Sequence, residues 1–260
     1  MRLGLIGATG WLGGALGRHL LAQGVVAPGD LVVLNRSGRR GYEGSVWAAD
    51  VADLAARADV IVVSVRPQDW AGLDLRAPGR LVISFMAGIG HAALARAGGR
   101  VVRAMPNAAA ESAGSYSPFW AGPGVDAADR AAVRRILGAI GTSDELPDEA
   151  QIDLMTALPG SGAAYPALMA MAMVRFMTDR GVPEAVAWRA TEAAVCGGAA
   201  MLAGAPQRAE ELLAAYRDYA GTTAAGIAAA EAAGFAQAIG RALEAAARKA
   251  RDIGGPQGIG

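Results

Sequence analysis

Two clusters near the start of the chain have residue types and spacing that can do chemistry. The first is Gly7-Ala8-Thr9-Gly10-Trp11-Leu12-Gly13. Glycines at these steps allow a tight turn, a close approach of backbone to a pyrophosphate, and close packing of the next helix, whose first N–H groups favour an anion. A purely structural strand-to-helix turn is the plain alternative. The second cluster is Asn35-Arg36-Ser37, with Arg39 and Arg40 close behind. NAD sites place Asp or Glu there to accept from the ribose 2′-hydroxyl. An uncharged residue followed by a guanidinium suits a 2′-phosphate instead, so the cofactor expected is NADPH rather than NADH. A solvated basic loop would read the same way.

Scarcity is informative too. Cys196 is the one cysteine, His19 and His91 are the two histidines, and Lys249 is the one lysine among 24 basic residues. Disulfide frameworks and cysteine- or histidine-rich metal centres are excluded, so no metal is expected. Acids also number 24, giving a formal net charge of zero, which offers no field to attract nucleic acid or an anionic membrane. No uninterrupted apolar run reaches the ~18 residues of a spanning helix, and the N-terminus reaches glycine too soon for a secretory signal. The expected location is the cytoplasm.

These clusters need elements to position them. Apolar runs at 3–6, 31–34, 60–65, 81–84 and 101–105 alternate with helical spacings such as Leu12, Leu16 and Leu20. Strands apolar at consecutive positions with helices between them describe a parallel sheet covered on both faces, hence an α/β, doubly wound, Rossmann-type domain. After Pro147-Asp148-Glu149, which reads as a helix start, the strand runs stop and helix formers dominate. The predicted organisation is a dinucleotide-binding domain over 1–147, an all-α domain over 148–253, and a flexible tail over 254–260. Small side chains bury little area each, so the helical half is expected to pack against a second copy as a homodimer.

Several segments, in order, resemble the pyrroline-5-carboxylate reductase family. They are Val65-Arg66-Pro67-Gln68, Ser84-Phe85-Met86-Ala87-Gly88-Ile89, Arg103-Ala104-Met105-Pro106-Asn107, Leu158-Pro159-Gly160-Ser161-Gly162-Ala163-Ala164-Tyr165 and Gly221-Thr222-Thr223. The matches run from residue 3 to about 235. The chain resembles a divergent member: its glycine turn is one residue longer than the usual pattern, Arg66 stands where lysine is usual, Ala108-Ala109 replace Thr-Pro, and Asp218-Tyr219-Ala220 replace Ser-Pro-Gly before Gly221. The resemblance implies a Rossmann domain with a helical dimerisation domain and NAD(P)H-dependent reduction of a C=N bond, that of 1-pyrroline-5-carboxylate going to L-proline. It adds Val65, Arg66, Pro67, Met86, Ala87 and Asn107 to the cofactor residues. It makes Thr223 the hydroxyl near the imine nitrogen, with Thr222 and Ser161 beside it, and gives the substrate carboxylate to the amides of 221–223.

Hydride comes from the cofactor, so the protein need only align the reactants and stabilise charge, which suits a chain poor in histidine and lysine. Thr222 and Thr223 would otherwise be N-caps. Ser161 lines the site or caps a helix. Asp218 is either a solvent-facing loop acid or an inward charge that would change the substrate. Glu231 orients the loop or is a surface or dimer-contact acid. Trp11 covers the pyrophosphate or packs under the turn, Met169, Met171, Met173 and Met177 are core or interface, and Cys196 reads as an inert buried thiol. The competing functions are reduction of a different cyclic or linear imine, and a non-catalytic NADPH-binding regulatory protein. A 2-keto acid reductase is disfavoured by the lack of a lysine or histidine acid.

Overall fold

A computed structural model describes residues 1–38 and 41–253. Arg39, Arg40 and the expected tail over 254–260 lie outside the described residues. The elements in order are β1 (Leu3–Ile6), α1 (Trp11–Ala22), β2 (Leu31–Leu34), β3 (Val46–Trp47), α2 (Val51–Arg57), β4 (Val60–Val63), β5 (Leu81–Ser84), α3 (His91–Leu94), β6 (Arg100–Ala104), β7 (Ser115–Tyr116), β8 (Phe119–Ala121), α4 (Ala127–Gly138), β9 (Gly141–Thr142), α5 (Gln151–Ala157), α6 (Ala164–Thr178), α7 (Glu184–Glu192), α8 (Gly198–Ala200), α9 (Ala209–Tyr219), α10 (Thr222–Ala232) and α11 (Phe235–Ile253).

A seven-stranded sheet runs in the order β3-β2-β1-β4-β5-β6-β8. All pairs are parallel except β6 with β8, which puts an antiparallel strand on one edge. The chain first builds outward from β1 to β3 and then returns to lay β4 on the other side of β1, so the direction of winding switches between β1 and β4. Ligand crevices of such sheets open at that switch, beyond the carboxyl ends of the strands. The unbroken apolar runs have a direct cause. In β4, Val60 and Val62 join one buried cluster with Leu3, Leu5, Leu16 and Val133, while Ile61 and Val63 join another with Ile6, Leu54, Met86 and Leu94. Each face of the strand has its own layer of helix, so neither set of alternating positions is left to water.

The chain divides into two compact units, one holding Met1–Ser161 with the stretch from Leu243, the other Gly162–Ala242. The sequence placed the division at 147/148. The acids of Asp148-Glu149, read there as the charged first turn of a helix, do other work: α5 begins only at Gln151, and Glu149 accepts from the backbone N–H of His91 at 2.6 Å and from Arg103 at 2.9 Å. Arg103, buried in β6, also donates to Asp153 in α5 at 3.2 Å. A guanidinium taken out of water requires such partners, and together they tie α5 to the sheet.

The second unit is helical. Helix α7 continues through a π-helical turn over Ala193–Gly197 into α8, and α9 ends at Ala220 in the left-handed region with φ 52° before Gly221 caps α10. Few of its side chains are buried: Val174, Ala187 and Thr191 are, whereas Leu168, Phe176, Met201 and Phe235 are each more than half exposed. Cys196, expected as a buried thiol, is exposed in the π turn, none of whose residues is buried.

Candidate functional site

The glycine turn is fixed by three constraints. Gly7 has φ 84°, and a Cβ there would lie 2.2 Å from the Ser64 carbonyl oxygen. Gly13 lets α1 approach the turn, since its Cβ would fall 2.4 Å from the Gly7 oxygen. Gly10 closes the turn by donating to the Gly7 carbonyl at 3.0 Å and is the N-cap of α1. A Cβ on Gly10 would lie 3.2 Å from the Gly7 carbonyl oxygen, a tight contact but less forbidding than those at Gly7 and Gly13. Gly7 and Ala8 both donate to the carbonyl of Leu34, at 2.9 and 3.3 Å, which pins the turn to the end of β2.

A cavity of about 750 Å³ opens at the switch point, beyond the ends of β1, β2 and β4, lined among others by Gly7, Gly10, Asn35, Arg36, Ser37 and Val65. Arg66 lines it too. The structure thus brings two of the sequence clusters and the Val65-Arg66 turn into one crevice. Asn35 donates to the Ser37 hydroxyl at 2.5 Å. The Arg36 side chain is 80% exposed and reaches Asp69 at 3.3 Å. Asp69 also accepts from Arg66 at 3.2 Å, and that guanidinium, with Arg36 beyond it, holds the carboxyl below the ordinary aspartate range. Asp69 was missed at the sequence level. Its i,i+3 spacing from Arg66 was visible, but its link to Arg36 exists only because β2 and β4 flank β1.

Other assigned positions offer backbone rather than side chain. Ala8 and Met86 are buried in the two core clusters, and Leu12 packs against one of them. Their side chains face the core because strand and helix bury those directions. Thr9 lines a second cleft together with Gly14, Arg18 and Tyr42. Pro67 starts a short 3₁₀ turn, and Ala87 is partly exposed. Asn107 is committed locally: its side-chain oxygen accepts from Ala109 at 3.0 Å and caps the following turn. Trp11 is 68% exposed, which removes the reading that it packs beneath the turn.

In the helical unit, Gly221 is the N-cap of α10, and Thr222 and Thr223 occupy its first two positions with exposed side chains that make no hydrogen bond among the described residues. The capping alternative for the two threonines is therefore corrected: glycine takes the cap, and both hydroxyls stand at an end where amides lack intrahelical acceptors. Arg217 and Glu231, both about half exposed, join at 2.5 Å across the turn between α9 and α10. Asp218 is exposed. Ser161 donates to the Thr156 carbonyl at 3.1 Å, closing the end of α5 rather than capping the start of α6. Among the described residues no three His, Cys, Asp or Glu side chains gather to hold a metal.

Comparison with known proteins agrees with this layout. The family described as pyrroline-5-carboxylate reductase dimerisation matches residues 149–253, and the one described as NADP oxidoreductase coenzyme F420-dependent matches residues 2–88. The pyrroline-5-carboxylate reductase of Corynebacterium melassecola is 33% identical across 93% of this chain and 96% of that protein. The chain belongs to the pyrroline-5-carboxylate reductase family. The Pseudomonas aeruginosa member is likewise 33% identical, over 97% of this chain and 96% of its own. Among solved structures, the pyrroline-5-carboxylate reductase of Coxiella burnetii superposes with a TM-score of 0.83 at 26% identity, covering 98% of both chains. Family membership spans both units, so the α/β unit and the helical unit belong to one enzyme-family architecture. No described helix is long and apolar enough to cross a membrane.

Proposed function

We propose that this chain reduces 1-pyrroline-5-carboxylate to L-proline with NADPH, as a cytoplasmic homodimer. The observation that carries the reading is the 33% identity to reductases of that name over nearly the whole chain. The crevice fits the cofactor chemically: the glycine turn leads into a helix N-terminus, β2 is followed by Asn35 rather than an acid, and the exposed Arg36 guanidinium is available to a dianionic phosphate. Residues 7–13 would take the pyrophosphate, Asn35, Arg36 and Ser37 the 2′-phosphate, and Val65, Arg66, Pro67, Met86, Ala87 and Asn107 the rest of the dinucleotide. Bound dihydronicotinamide supplies the hydride to the imine carbon.

The chain's own residues do the remainder. The amides at 221–223 receive the substrate carboxylate at the positive end of α10. The Thr223 hydroxyl holds the proton at the imine nitrogen, Thr222 lies next to it, and Ser161 keeps the preceding bend closed. No histidine or lysine is required, because the iminium either arrives protonated or takes its proton from a hydroxyl. The exposed apolar faces of the helical unit, and its match to a dimerisation family, support a second copy as partner.

The test is turnover of 1-pyrroline-5-carboxylate by the purified chain, followed as loss of NADPH absorbance. Thr223→Ala is expected to lower kcat by about tenfold or more with NADPH affinity unchanged. Wild-type protein that binds NADPH but leaves this substrate untouched while reducing other imines would replace the substrate, with Asp218-Tyr219-Ala220 as the differing segment. Binding without turnover of any imine would leave the regulatory alternative.

A further inference from the structure

Tyr42 lies five residues beyond Ser37, in a glycine-rich stretch that no catalytic or cofactor role claims. It adopts φ 61°, a left-handed conformation that strains a non-glycine residue and persists only where surroundings enforce it. Here they do. The ring lies on α1 where Gly17 makes room, since a Cβ on Gly17 would fall 2.3 Å from the phenol oxygen. It meets Trp47 of β3 edge to face, with centroids 6.3 Å apart. The hydroxyl donates to the Ala8 carbonyl at 2.5 Å and lies 3.3 Å from the Gly13 carbonyl. Burial pushes the phenol up to about 12, opposed by Arg18, so it stays a donor at every working pH.

The partner of that hydroxyl is the telling feature. Ala8 donates its N–H to Leu34, immediately before Asn35, and accepts from Tyr42 through its carbonyl. One residue of the pyrophosphate turn thus ties down both flanks of the stretch that carries Asn35, Arg36 and Ser37. We infer that Tyr42 is a positioning residue for cofactor selectivity, holding the 2′-phosphate contacts in register with the glycine turn. The inference rests on the proposed NADPH site. A ligand that uses both subsites depends on this tie; NADH, which lacks the 2′-phosphate, depends on it far less.

The experiment measures dissociation constants of NADPH and NADH for wild type, Tyr42→Phe and Gly17→Ala by calorimetry. Tyr42→Phe keeps the ring and removes the hydroxyl, and Gly17→Ala displaces the ring from the other side. Both are expected to weaken NADPH by about fivefold, the scale of one neutral hydrogen bond, and NADH by less than about twofold. Equal weakening of the two cofactors in both variants would show a merely structural role and overturn the inference, as would an unchanged NADPH constant. Wild type that prefers NADPH while both variants keep the same ratio overturns this inference alone. Wild type with no preference for NADPH overturns the cofactor reading and this inference with it.

Discussion

The sheet unit and the helical unit satisfy their apolar residues by different means. In the sheet unit, Leu3, Leu5, Ile61, Val62 and Ile83 have no exposed surface, because each strand is covered on both faces by its own chain. In the helical unit, Met169, Met173 and Phe176 follow an i, i+4, i+7 spacing on α6 and line an apolar groove with Phe235, yet all four remain more than a third exposed. A surface of that kind suits burial against another molecule, here the proposed second copy. The difference teaches that one unit carries its core within itself, whereas the other leaves an apolar face for the proposed second copy to cover.

The largest effect expected is on that partnership. Met173→Glu should convert the homodimer to a monomer by light scattering at micromolar concentration while leaving NADPH binding intact. An unpaired charge in a covered apolar face costs several kcal/mol, and a two-fold interface meets the change twice. A variant that remains dimeric would break the contrast between the units. The glycines sharpen it next. Gly7→Ala combines a positive φ with a contact against the Ser64 backbone, and is expected to lose roughly 3 kcal/mol in chemical denaturation. Gly204→Ala, in the helical unit, has a similar φ of 77° but open space around it, and should lose only about 1 kcal/mol. Equal losses would show that packing around Gly7 is looser than its geometry indicates.

An intermediate effect belongs to a charge pair in the sheet unit. Asp129 takes two bonds from Arg100, at 2.5 and 2.9 Å, and also closes the capping box of α4. Arg100 holds its carboxyl below the ordinary aspartate range. A depressed folded value means the stabilisation is present above the unfolded value near about 4 and is lost as pH falls through the folded one. Asp129→Asn should cost about 2 kcal/mol at neutral pH, with the variant and wild type converging in acid. A gap that persists in strong acid would assign the loss to packing instead.

The sheet was legible in the sequence because coverage on both faces leaves runs such as Val60-Ile61-Val62-Val63 with no polar interruption. The short strand over Phe119–Ala121 was not, since only its antiparallel pairing with β6 makes it a strand. The glycine turn and Arg36 were legible for the same local reason: their types declare their conformation or charge. Tyr42 was hidden, because its contact with Ala8 spans 34 residues and depends on β2 pairing with β1. Asp69 was hidden in the same way. The burial of the Ala8 and Met86 side chains was hidden too, because a motif names positions and only the folded chain decides which atoms at each position are covered.

The smallest effect probes the helical unit at the turn before α10. Ala220 ends α9 at φ 52°, where a Cβ crowds the backbone and glycine does not. Ala220→Gly relieves that strain, worth about 1 kcal/mol, and gives part of it back through the greater freedom of glycine in the unfolded chain. A net gain of about 0.5 kcal/mol is expected, read as a rise of roughly 1–2 °C in Tm. The Arg217–Glu231 pair on either side should keep the turn in place, so kcat should change by less than about twofold. A loss of stability would mean that the Ala220 methyl group, exposed in this chain, is packed in the dimer. The turn before α10 would then belong to the surface that the second copy covers.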